Sequence, residues 1–443
     1  MSDLIFKLPN CTEQNSLRGD ALVPGDKSVS HRSIMFGALA DGVTNVSGFL
    51  TGEDCLATLK AFRAMGVEIT DPVDGKLTIN GVGMRGLKAP QGELDLGNSG
   101  TSMRLMSGLL AAQNFDCVLT GDHSLQSRPM KRVTGPLAEM GATITTEEDG
   151  TAPLKIIGGA PMEGIHYTSP VASAQIKSCL LLAGLYADGE TCVTEPGISR
   201  DHSERMLKAF GYAIECADQD VRLIGGGKLV ATDIEVPGDI SSAAFLLVAA
   251  SIRPGSELLL RNVGINPTRT GVIDILRLMG ADISEENSRM AGGEPVADLR
   301  VKYAPLKGIR IPEALVPLAI DEFPVLFIAA AFAEGETLLT GARELRVKES
   351  DRIQVMADGL QAMGVECEVL DDGMRIVGQS QPTGGSVAVV HSHADHRIAM
   401  SFSVAALRST CEIEIHDCQN VNTSFPGFAD LMQRLGLHLE VLA

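Results

Sequence analysis

Segments with apolar residues at helical spacing recur along this chain, and each of them ends at a glycine. The six segments are AFRAMGVEI around Gly66, PLAEMGATI around Gly141, MLKAFGYAI around Gly211, ILRLMGADI around Gly280, LQAMGVECE around Gly364 and MQRLGLHLE around Gly436. Apolar residues at i, i+3 and i+4 before a glycine are typical of a helix that ends in a glycine cap. A short alternating segment follows each glycine, so the pattern predicts helix, glycine, strand.

A second helical pattern, rich in small residues, precedes each of these segments. Its six members are KSVSHRSIMFGALA, NSGTSMRLMSGLLAA, SAQIKSCLLLAGLYA, ISSAAFLLVAAS, DEFPVLFIAAAFA and DHRIAMSFSVAAL. Together the two patterns predict an α/β chain of six βαβαββ repeats, each about 74 of the 443 residues. A helix, a glycine and a strand in succession are also common in unrelated α/β proteins, but six paired occurrences at near-constant spacing favour true repetition.

The tetrapeptide Val-Pro-Gly-Asp occurs twice, about three repeats apart, in LVPGDKS at 22–28 and EVPGDIS at 235–241. Each copy indicates a strand end and a tight turn, with Asp26 or Asp239 placed to cap the following helix. We interpret the two turns as crossings between two domains of three repeats. The first domain then comprises residues 23–240, and the second comprises residues 1–22 together with 241–443.

Composition narrows the possible functions. Hydrophobic residues make up 44% of the chain and charged residues 21%, which excludes a disordered or low-complexity protein. The net charge of -19 argues against binding to nucleic acid or an acidic membrane, although a small anion could still bind a local cationic pocket. The nine cysteines form no C-x-x-C pair and the opening MSDLIFKLPN does not resemble a signal peptide, so we expect a cytoplasmic protein.

The starts of the small-residue helices carry the candidate chemistry, because helix N-termini attract anions. PGDKSVSHRS places Lys27, Ser28 and Arg32 close together, as a phosphate or carboxylate site requires. GNSGTSMR allows a close backbone approach at Gly100, and QSRPMKR and SAQIK add cations, a hydroxyl and an amide. The alternatives are a solvated helix start, a plain capped turn and a solvated basic patch.

Three further segments carry charge. Asp321, before an apolar helix, is either an N-cap or a general base at the edge of a dry cleft. RELRVKESDR at 343–352 is either a salt-bridged surface loop or a mixed-sign cluster that holds an anion beside an acid. HSHADHRIAM has three histidines, but no fourth soft ligand is spaced for zinc, so Arg397 at a helix start fits the anion pattern better.

Seven of these motifs identify a family by resemblance. PGDKSVSHR, GNSGTSMR, SRPM, SAQ, RVKESDR, DHRIAM and NTSFP, in this order over almost the whole chain, strongly resemble the 5-enolpyruvylshikimate-3-phosphate (EPSP) synthases. The resemblance implies a two-domain inside-out α/β barrel of six βαβαββ repeats, three per domain, with the active site in the cleft between the domains. It also implies transfer of the enolpyruvyl group from phosphoenolpyruvate to the 5-hydroxyl of shikimate 3-phosphate, without metal or organic cofactor.

The resemblance also implies roles for individual residues. Asp321 is implied as the base and Glu349 as the acid, while Lys27 and Lys348 polarise the site. The implied shikimate 3-phosphate contacts are Lys27, Ser28, Arg32, Ser173, Ala174, Gln175, Arg200, Asp321 and Lys348. The implied phosphoenolpyruvate contacts are Lys27, Gly100, Arg128, Gln175, Arg352 and Arg397. Among these, Gly100 and Arg128 are implied to hold the phosphate, and Arg352 and Arg397 the carboxylate.

The chain departs from the family pattern at two positions. Thr423 stands where many members have a lysine that contacts phosphoenolpyruvate, so this contact is missing. The motif sequences DKSVSHR, SAQIK, NPTRTG and KESDRI resemble those of the second, often glyphosate-tolerant class. That class, however, commonly has Ala where this chain has Gly100. Because glycine leaves room for the inhibitor, we expect glyphosate sensitivity.

Two other functions are compatible with parts of the pattern. An enolpyruvyl transferase acting on UDP-N-acetylglucosamine has the same repeats. Its first motif, however, begins with Lys-Asn, and a reactive cysteine precedes its Arg-Pro dipeptide. This chain has Lys27-Ser28, and no cysteine lies between Val118 and Arg128. A non-catalytic protein that binds phosphorylated metabolites would need neither Asp321 nor Glu349. We therefore expect a free-standing, monomeric enzyme with small-molecule substrates.

Overall fold

The computed structural model describes residues 4–379 and 384–442, and they divide into two compact units. The N-terminal unit comprises Gly25–Pro237 and the short segment Met290–Glu294. The C-terminal unit comprises the residues up to Pro24, Gly238–Arg289 and the residues from Pro295 onwards. Each unit has its own hydrophobic core. Within the described part of the chain, no helix is both long enough and apolar enough to cross a membrane.

Helices and strands alternate along most of the chain. The α-helices are α1 Lys27–Leu39, α2 Glu53–Ala64, α3 Gly100–Ala111, α4 His123–Gln126, α5 Lys131–Glu139, α6 Ala174–Gly184, α7 His202–Ala209, α8 Ile240–Ile252, α9 Gly271–Leu278, α10 Phe323–Ala331, α11 Arg352–Ala362, α12 His396–Ala405, α13 Val421–Ser424 and α14 Phe428–Leu435. Short 3₁₀ segments cover Glu313–Leu315, Arg343–Val347 and Cys418–Asn420.

The strands are short and form six sheets. They are β1 Ile5–Leu8, β2 Arg18–Leu22, β3 Ala40–Ser47, β4 Glu68–Ile69, β5 Leu77–Val82, β6 Leu94–Asp95, β7 Cys117–Thr120, β8 Thr143–Thr145, β9 Leu154–Ile157, β10 His166–Thr168, β11 Glu190–Thr194, β12 Ile214–Ala217, β13 Asp220–Ile224, β14 Leu229–Val230, β15 Ile234–Glu235, β16 Glu257–Gly264, β17 Asp282–Ala291, β18 Glu294–Lys302, β19 Gly335–Leu339, β20 Glu366–Leu370, β21 Gly373–Gly378, β22 Val387–His391, β23 Glu412–His416 and β24 Glu440–Leu442.

The three sheets of the N-terminal unit share one topology. Their strand orders are β6-β7-β9-β8, β10-β11-β13-β12 and β14-β3-β5-β4, with β15 also paired to β3. In each sheet the first two strands are parallel and the remaining pairs are antiparallel. A parallel pair needs a crossover connection, which α3 and α6 supply in two of the sheets. This is the βαβαββ repeat that the sequence predicts.

The C-terminal unit also has three sheets, and two of them include strands from distant parts of the chain. Its sheets are β17-β18-β16-β2, β19-β21-β20 and β22-β23-β1-β24. Strand β2 pairs in parallel with β16, while β1 pairs antiparallel with both β23 and β24. One sheet is therefore assembled from both ends of the chain. With three sheets in each unit, the predicted six α/β repeats are confirmed.

The small-residue helices lie inside their units, and the sheets cover them. In the C-terminal unit every residue of α8 and α10 is buried, and these helices pack against each other and against α12. In the N-terminal unit α3 packs against α6, and nearly all residues of α1 and α3 are buried. Small side chains allow helices to approach closely, which explains the Ala, Ser and Gly content of these segments. Helices inside and sheets outside give the predicted inside-out arrangement.

The second helix of each repeat ends at the predicted glycine. All six glycines have a positive φ, which ranges from 77° at Gly211 to 121° at Gly436. Each one directly follows its helix or comes one residue later. A side chain with a Cβ would be strained in this conformation, so glycine ends the helix and turns the chain toward the next strand.

The two Val-Pro-Gly-Asp turns have equivalent geometry. Asp26 Oδ1 accepts the Val29 N–H at 2.9 Å, and Asp239 Oδ1 accepts the Ser241 N–H at 2.8 Å. Both aspartates therefore cap a buried helix as the sequence predicts. A Cβ on Gly25 would lie 1.9 Å from the Gly48 carbonyl oxygen, so the first turn has no room for a side chain.

Candidate active site

Helix α1 presents a lysine at the first position after its cap. The ammonium of Lys27 forms an ion pair with the Asp54 carboxylate, which comes from the first turn of α2. The Asp54 side chain is 7% exposed and that of Lys27 27%, so the carboxylate holds the ammonium from the protein side and leaves it accessible. Ser28 is the next residue of the helix. A fixed and accessible cation at a helix start can bind an anion.

Arg32 lies one turn further along α1 and is only 4% exposed. Its Nε donates to Ser203 Oγ and its Nη2 to Ser178 Oγ, both at 2.8 Å. Burial lowers the pKa of this guanidinium to about 10, while the charge of Glu204 opposes the shift and that of Arg200 adds to it. A buried cation whose hydrogen-bond partners are neutral hydroxyls retains a strong attraction for an incoming anion.

Two guanidinium groups converge at the start of α3. A Cβ placed on Gly100 would lie 3.0 Å from Arg104 Nη1 and 3.1 Å from Arg128 Nη1. Asn98 Oδ1 accepts from Arg128 Nη2 at 2.6 Å, which fixes that side chain. The Ser99 hydroxyl caps the helix through the Ser102 N–H. Two cations beside the positive end of a helix form a compact site for a phosphate group.

Gln175, in the first turn of α6, joins this group. Its Oε1 accepts from Arg104 Nη1 at 2.7 Å, and its Nε2 donates to Thr101 Oγ1 at 3.1 Å. Ser173 is the N-cap of the helix and Ala174 is its first residue. The starts of α3 and α6 therefore present their polar groups side by side in the N-terminal unit.

In the C-terminal unit, Asp321 lies next to two cations. Its Oδ1 is 3.5 Å from Lys348 Nζ and 3.5 Å from Arg352 Nη1. Glu322, rather than Asp321, occupies the N-cap position of α10, and its side chain makes no capping hydrogen bond. The interpretation of Asp321 as a plain N-cap is therefore wrong, and its carboxylate instead lies beside the cations of Lys348 and Arg352.

Arg352 is the first residue of α11 and its side chain is 1% exposed. Its Nε donates to Asp395 at 2.8 Å and its Nη2 to Glu349 at 2.6 Å. Burial acts to lower the pKa of Arg352, but the charges of Asp395 and Glu349 outweigh it and raise the pKa. Nη1 is buried and has no hydrogen-bond partner among the described residues. This nitrogen is left to bind a ligand that reaches it.

Arg397 completes the group from the first turn of α12. Its Nη1 donates to the main-chain oxygen of Asp321 at 2.9 Å. Asp395, the N-cap of the helix, accepts the Arg397 N–H at 3.0 Å with the same carboxylate that holds Arg352. One buried carboxylate thus fixes the guanidinium of Arg352 and the main chain of Arg397. The C-terminal unit brings together all five of its predicted site residues, which are Asp321, Lys348, Glu349, Arg352 and Arg397.

Other predicted features lie outside these clusters. Thr423 is 9% exposed, and its hydroxyl donates to the Asn420 carbonyl at 2.7 Å, so it supplies no cation. His391 stacks on His416 at a centroid distance of 4.9 Å. No group of three His, Cys, Asp or Glu residues that could hold a metal ion occurs within residues 4–379 and 384–442.

Sequence reasoning missed three residues of the clusters. Arg104 follows Gly100 by one helical turn, so the helical spacing of GNSGTSMR could have indicated it. Asp395 directly precedes a helix, where an aspartate is usually only a cap. Asp54 was not singled out, because nothing in the sequence shows that the start of α2 packs beside Lys27.

The chain is similar to known proteins over almost its whole length. The family model described as EPSP synthase (3-phosphoshikimate 1-carboxyvinyltransferase) matches residues 11–432. A 3-phosphoshikimate 1-carboxyvinyltransferase of Alkalilimnicola ehrlichii is 65% identical over 424 residues, covering 96% of this chain and 94% of the relative. The enzyme of the same name from Methylococcus capsulatus is 65% identical over 425 residues, covering 96% of each.

Solved structures give the same result. The structure of EPSP synthase from Acinetobacter baumannii aligns with a TM-score of 0.90 at 58% identity and covers 100% of both chains. The enolpyruvyl transferase NikO from Streptomyces tendae aligns with a TM-score of 0.80 at 16% identity, covering 100% of this chain and 99% of that one, which shows a shared fold only.

Proposed function

The chain belongs to the EPSP synthase (3-phosphoshikimate 1-carboxyvinyltransferase) family, and we propose that the residue clusters described above carry out its reaction. The enzyme transfers the enolpyruvyl group of phosphoenolpyruvate to the 5-hydroxyl of shikimate 3-phosphate and releases phosphate. This reaction belongs to the shikimate pathway, which leads to chorismate and the aromatic amino acids. Both substrates carry several negative charges, which accounts for cationic helix starts in a protein of net charge -19.

Shikimate 3-phosphate binds mainly to the N-terminal unit in this proposal. Arg32 supplies a buried charge, and the start of α6 supplies free N–H groups, as a phosphate requires. The proposed contacts are Lys27, Ser28, Arg32, Ser173, Ala174, Gln175, Arg200, Asp321 and Lys348. The last two belong to the C-terminal unit.

Phosphoenolpyruvate has two anionic ends, and we assign a different cluster to each. Its phosphate binds at the start of α3, where Gly100 leaves space between guanidinium groups and Arg128 is held by Asn98. Lys27 and Gln175 contact the same substrate. Its carboxylate binds Arg352 and Arg397, because Arg352 Nη1 is a buried donor that makes no hydrogen bond to another described residue.

The chemistry requires one proton to leave the 5-hydroxyl and another to reach the methylene carbon of phosphoenolpyruvate. Asp321 takes the first, since its carboxylate is not used as a cap and lies 3.5 Å from Lys348 Nζ. Glu349 delivers the second, and Lys27 and Lys348 stabilise developing negative charge. The new C–O bond gives a tetrahedral intermediate, and loss of phosphate from it restores the double bond. The proposal involves no metal and no organic cofactor.

Three finer assignments are also proposals. We assign residues 23–240 to one domain and residues 1–22 with 241–443 to the other, which is supported by compact units that end at Pro24 and Pro237. We assign the chain to the second, often glyphosate-tolerant class because of its motif sequences. Because of Gly100, we nevertheless expect the enzyme to be sensitive to glyphosate. We also infer a cytoplasmic monomer, which sedimentation at several protein concentrations would test.

The observation that carries the proposed site is the convergence of Asp321, Lys348, Glu349, Arg352 and Arg397 in one cluster. The decisive experiment measures phosphate release from phosphoenolpyruvate with either shikimate 3-phosphate or UDP-N-acetylglucosamine as the acceptor. We expect release with the first acceptor and none with the second. Release only with UDP-N-acetylglucosamine would refute the function.

A further inference from the structure

A buried group of three charges lies behind the start of α6. Lys177 Nζ is 2.9 Å from Glu195 Oε2 and 2.8 Å from Glu204 Oε1, and each of the three side chains is at most 5% exposed. Burial acts to lower the pKa of Lys177, but the two carboxylates outweigh it and raise the pKa, so the ammonium stays charged. None of the three residues has a part in the reaction as proposed above.

Glu195 also holds two segments that carry proposed substrate contacts. Its Oε1 accepts the Ser173 N–H at 2.7 Å, and its Oε2 accepts the Ser199 hydroxyl at 2.7 Å. Ser173 is the N-cap of α6, and Ser199 directly precedes Arg200. A single carboxylate thus sets the position of a helix start and of a neighbouring loop.

The backbone of Glu195 is itself well fixed. The residue directly follows β11, and its N–H donates to the Gln219 carbonyl at 3.0 Å. The carboxylate therefore projects from the end of a paired strand rather than from a mobile loop. Groups on rigid elements can hold a substrate-binding segment to within a fraction of an ångström.

The negative charge of Glu195 would weaken phosphate binding if Lys177 did not compensate it. A carboxylate close to a phosphate-binding helix start would repel the phosphate, and repulsion in a buried setting is strong. Lys177 compensates the charge of Glu195 directly. Because Lys177 Nζ lies 2.9 Å from Glu195 Oε2, the two charges compensate each other and the positive potential of the helix start is retained.

Stability alone is a weak explanation for this group. Taking charges out of water is costly, and replacing a buried ion pair by well-packed apolar residues is often neutral or stabilising. The hydrogen bonds of the Glu195 carboxylate offer a better explanation, because they fix the positions of the α6 start and of the loop at Ser199.

We propose that Glu195 is a positioning residue for shikimate 3-phosphate, which holds Ser173 and Ser199 in place while Lys177 neutralises its charge. This inference rests on the assignment of the α6 start and Arg200 to that substrate. It makes Glu195 a determinant of affinity for shikimate 3-phosphate more than for phosphoenolpyruvate, which takes only Gln175 from this helix start.

The test compares wild type with Glu195→Gln in steady-state assays of phosphate release, varying each substrate separately. Glutamine can still accept the Ser173 N–H through its oxygen, but its amide nitrogen cannot accept from Ser199 or pair with Lys177. We expect the KM for shikimate 3-phosphate to rise about tenfold, the change that corresponds to one charged hydrogen bond. The KM for phosphoenolpyruvate should change less than about twofold.

Glu190→Gln is the matched control. Glu190 is the first residue of β11, the strand that Glu195 follows, and its half-exposed carboxylate pairs with His166 at 3.0 Å. We expect both KM values to stay near those of wild type in this variant. An equal rise of both KM values in Glu195→Gln, or no rise, would overturn the inference.

A milder variant covers the case in which Glu195→Gln does not fold. Ser199→Ala removes one hydrogen bond and leaves the three charges intact, and we expect a rise of roughly threefold in the KM for shikimate 3-phosphate only. An unchanged KM in this variant would also overturn the inference. A wild-type protein without activity toward shikimate 3-phosphate would instead refute the proposed function, so the two failures can be told apart.

Discussion

The guanidinium of Arg352 donates to both oxygens of the Asp395 carboxylate, with distances of 2.8 Å from Nε and 3.3 Å from Nη2. This pairing fixes the plane of the guanidinium, and Nη1 makes no hydrogen bond to another described residue, although Asp321 Oδ1 lies 3.5 Å from it. It follows that the carboxylate of phosphoenolpyruvate meets a donor whose direction is set in advance, which reduces the cost of ordering a flexible side chain on binding.

Replacing Arg352 by lysine tests this geometry. A lysine keeps the charge, but its ammonium cannot pair with Asp395 through two nitrogens and still offer a third to the substrate. We expect the KM for phosphoenolpyruvate to rise by roughly tenfold to a hundredfold. Arg375→Lys is the control, because Arg375 pairs with Glu336 in the same unit and is 34% exposed. Similar KM values in Arg352→Lys and Arg375→Lys would contradict the assignment.

Asp321→Ala tests the proposed base. Removing the carboxylate leaves no group at this position to take the proton of the 5-hydroxyl, so kcat should fall by a factor of order 10² or more. Glu344→Ala is a suitable control, because Glu344 is also near Lys348, at 3.9 Å, but its side chain is 49% exposed. Phosphate release measures both variants. Near-normal turnover of Asp321→Ala would remove Asp321 from this role.

Gly100→Ala tests the expected sensitivity to glyphosate. The added methyl group would lie about 3 Å from both Arg104 Nη1 and Arg128 Nη1, and so would take space in which an anionic ligand binds. We expect wild type to be inhibited and the inhibition constant to rise at least tenfold in the variant, a loss of about 1.4 kcal/mol. Gly135→Ala, in α5 with open space around it, should leave inhibition unchanged. Wild-type activity that persists in millimolar glyphosate would contradict the expectation.

The burial of His31 makes the free energy of unfolding depend on pH. The imidazole is fully buried between Thr58 and Ser102, and burial lowers its pKa from 6.5 to about 3. The folded state thus holds it neutral, whereas the unfolded chain binds a proton as the pH falls below about 6.5. The free energy of unfolding should therefore decrease on acidification from about 6.5 toward 3, by up to about 1.4 kcal/mol per pH unit from this residue.

Urea denaturation of wild type and His31→Gln at several pH values measures this contribution. Glutamine does not titrate, so the stability difference between the two proteins should shrink as the pH falls from 7 to 4. His123→Gln, which changes an exposed histidine, should run parallel to wild type. A constant difference between wild type and His31→Gln would show that His31 is not kept neutral by the fold.

Local patterns predicted most of the fold. The sequence predicts the six helix-ending glycines because a helix end with a positive φ requires glycine within a few residues of the apolar pattern, as at Gly66 and Gly211. The same locality explains the two aspartate caps at Asp26 and Asp239. By contrast, the pairing of β1 with β23 joins opposite ends of the chain, and no local pattern specifies such a partner.

The candidate site was predicted less completely. Motifs showed which helix starts carry cations, but not which groups hold them. Asp395 has the sequence signature of an ordinary cap. Its hydrogen bonds to Arg352 depend on α11 and α12 lying side by side, which no local pattern shows. For Asp321 the sequence left two interpretations open. The position of Glu322 at the N-cap excludes the first, and the role of Asp321 as the base stays a prediction.

The pairing of β1 and β2 with much later strands has a consequence for synthesis on the ribosome. All strands in the three sheets of the N-terminal unit lie between Ala40 and Glu235, so those sheets can form while the rest of the chain is still being made. The strands β1 and β2 emerge first, yet β2 waits for β16, and β1 waits for β23 and β24. The earliest strands therefore stay unpaired longest, which makes the nascent N-terminus the segment most in need of protection from aggregation.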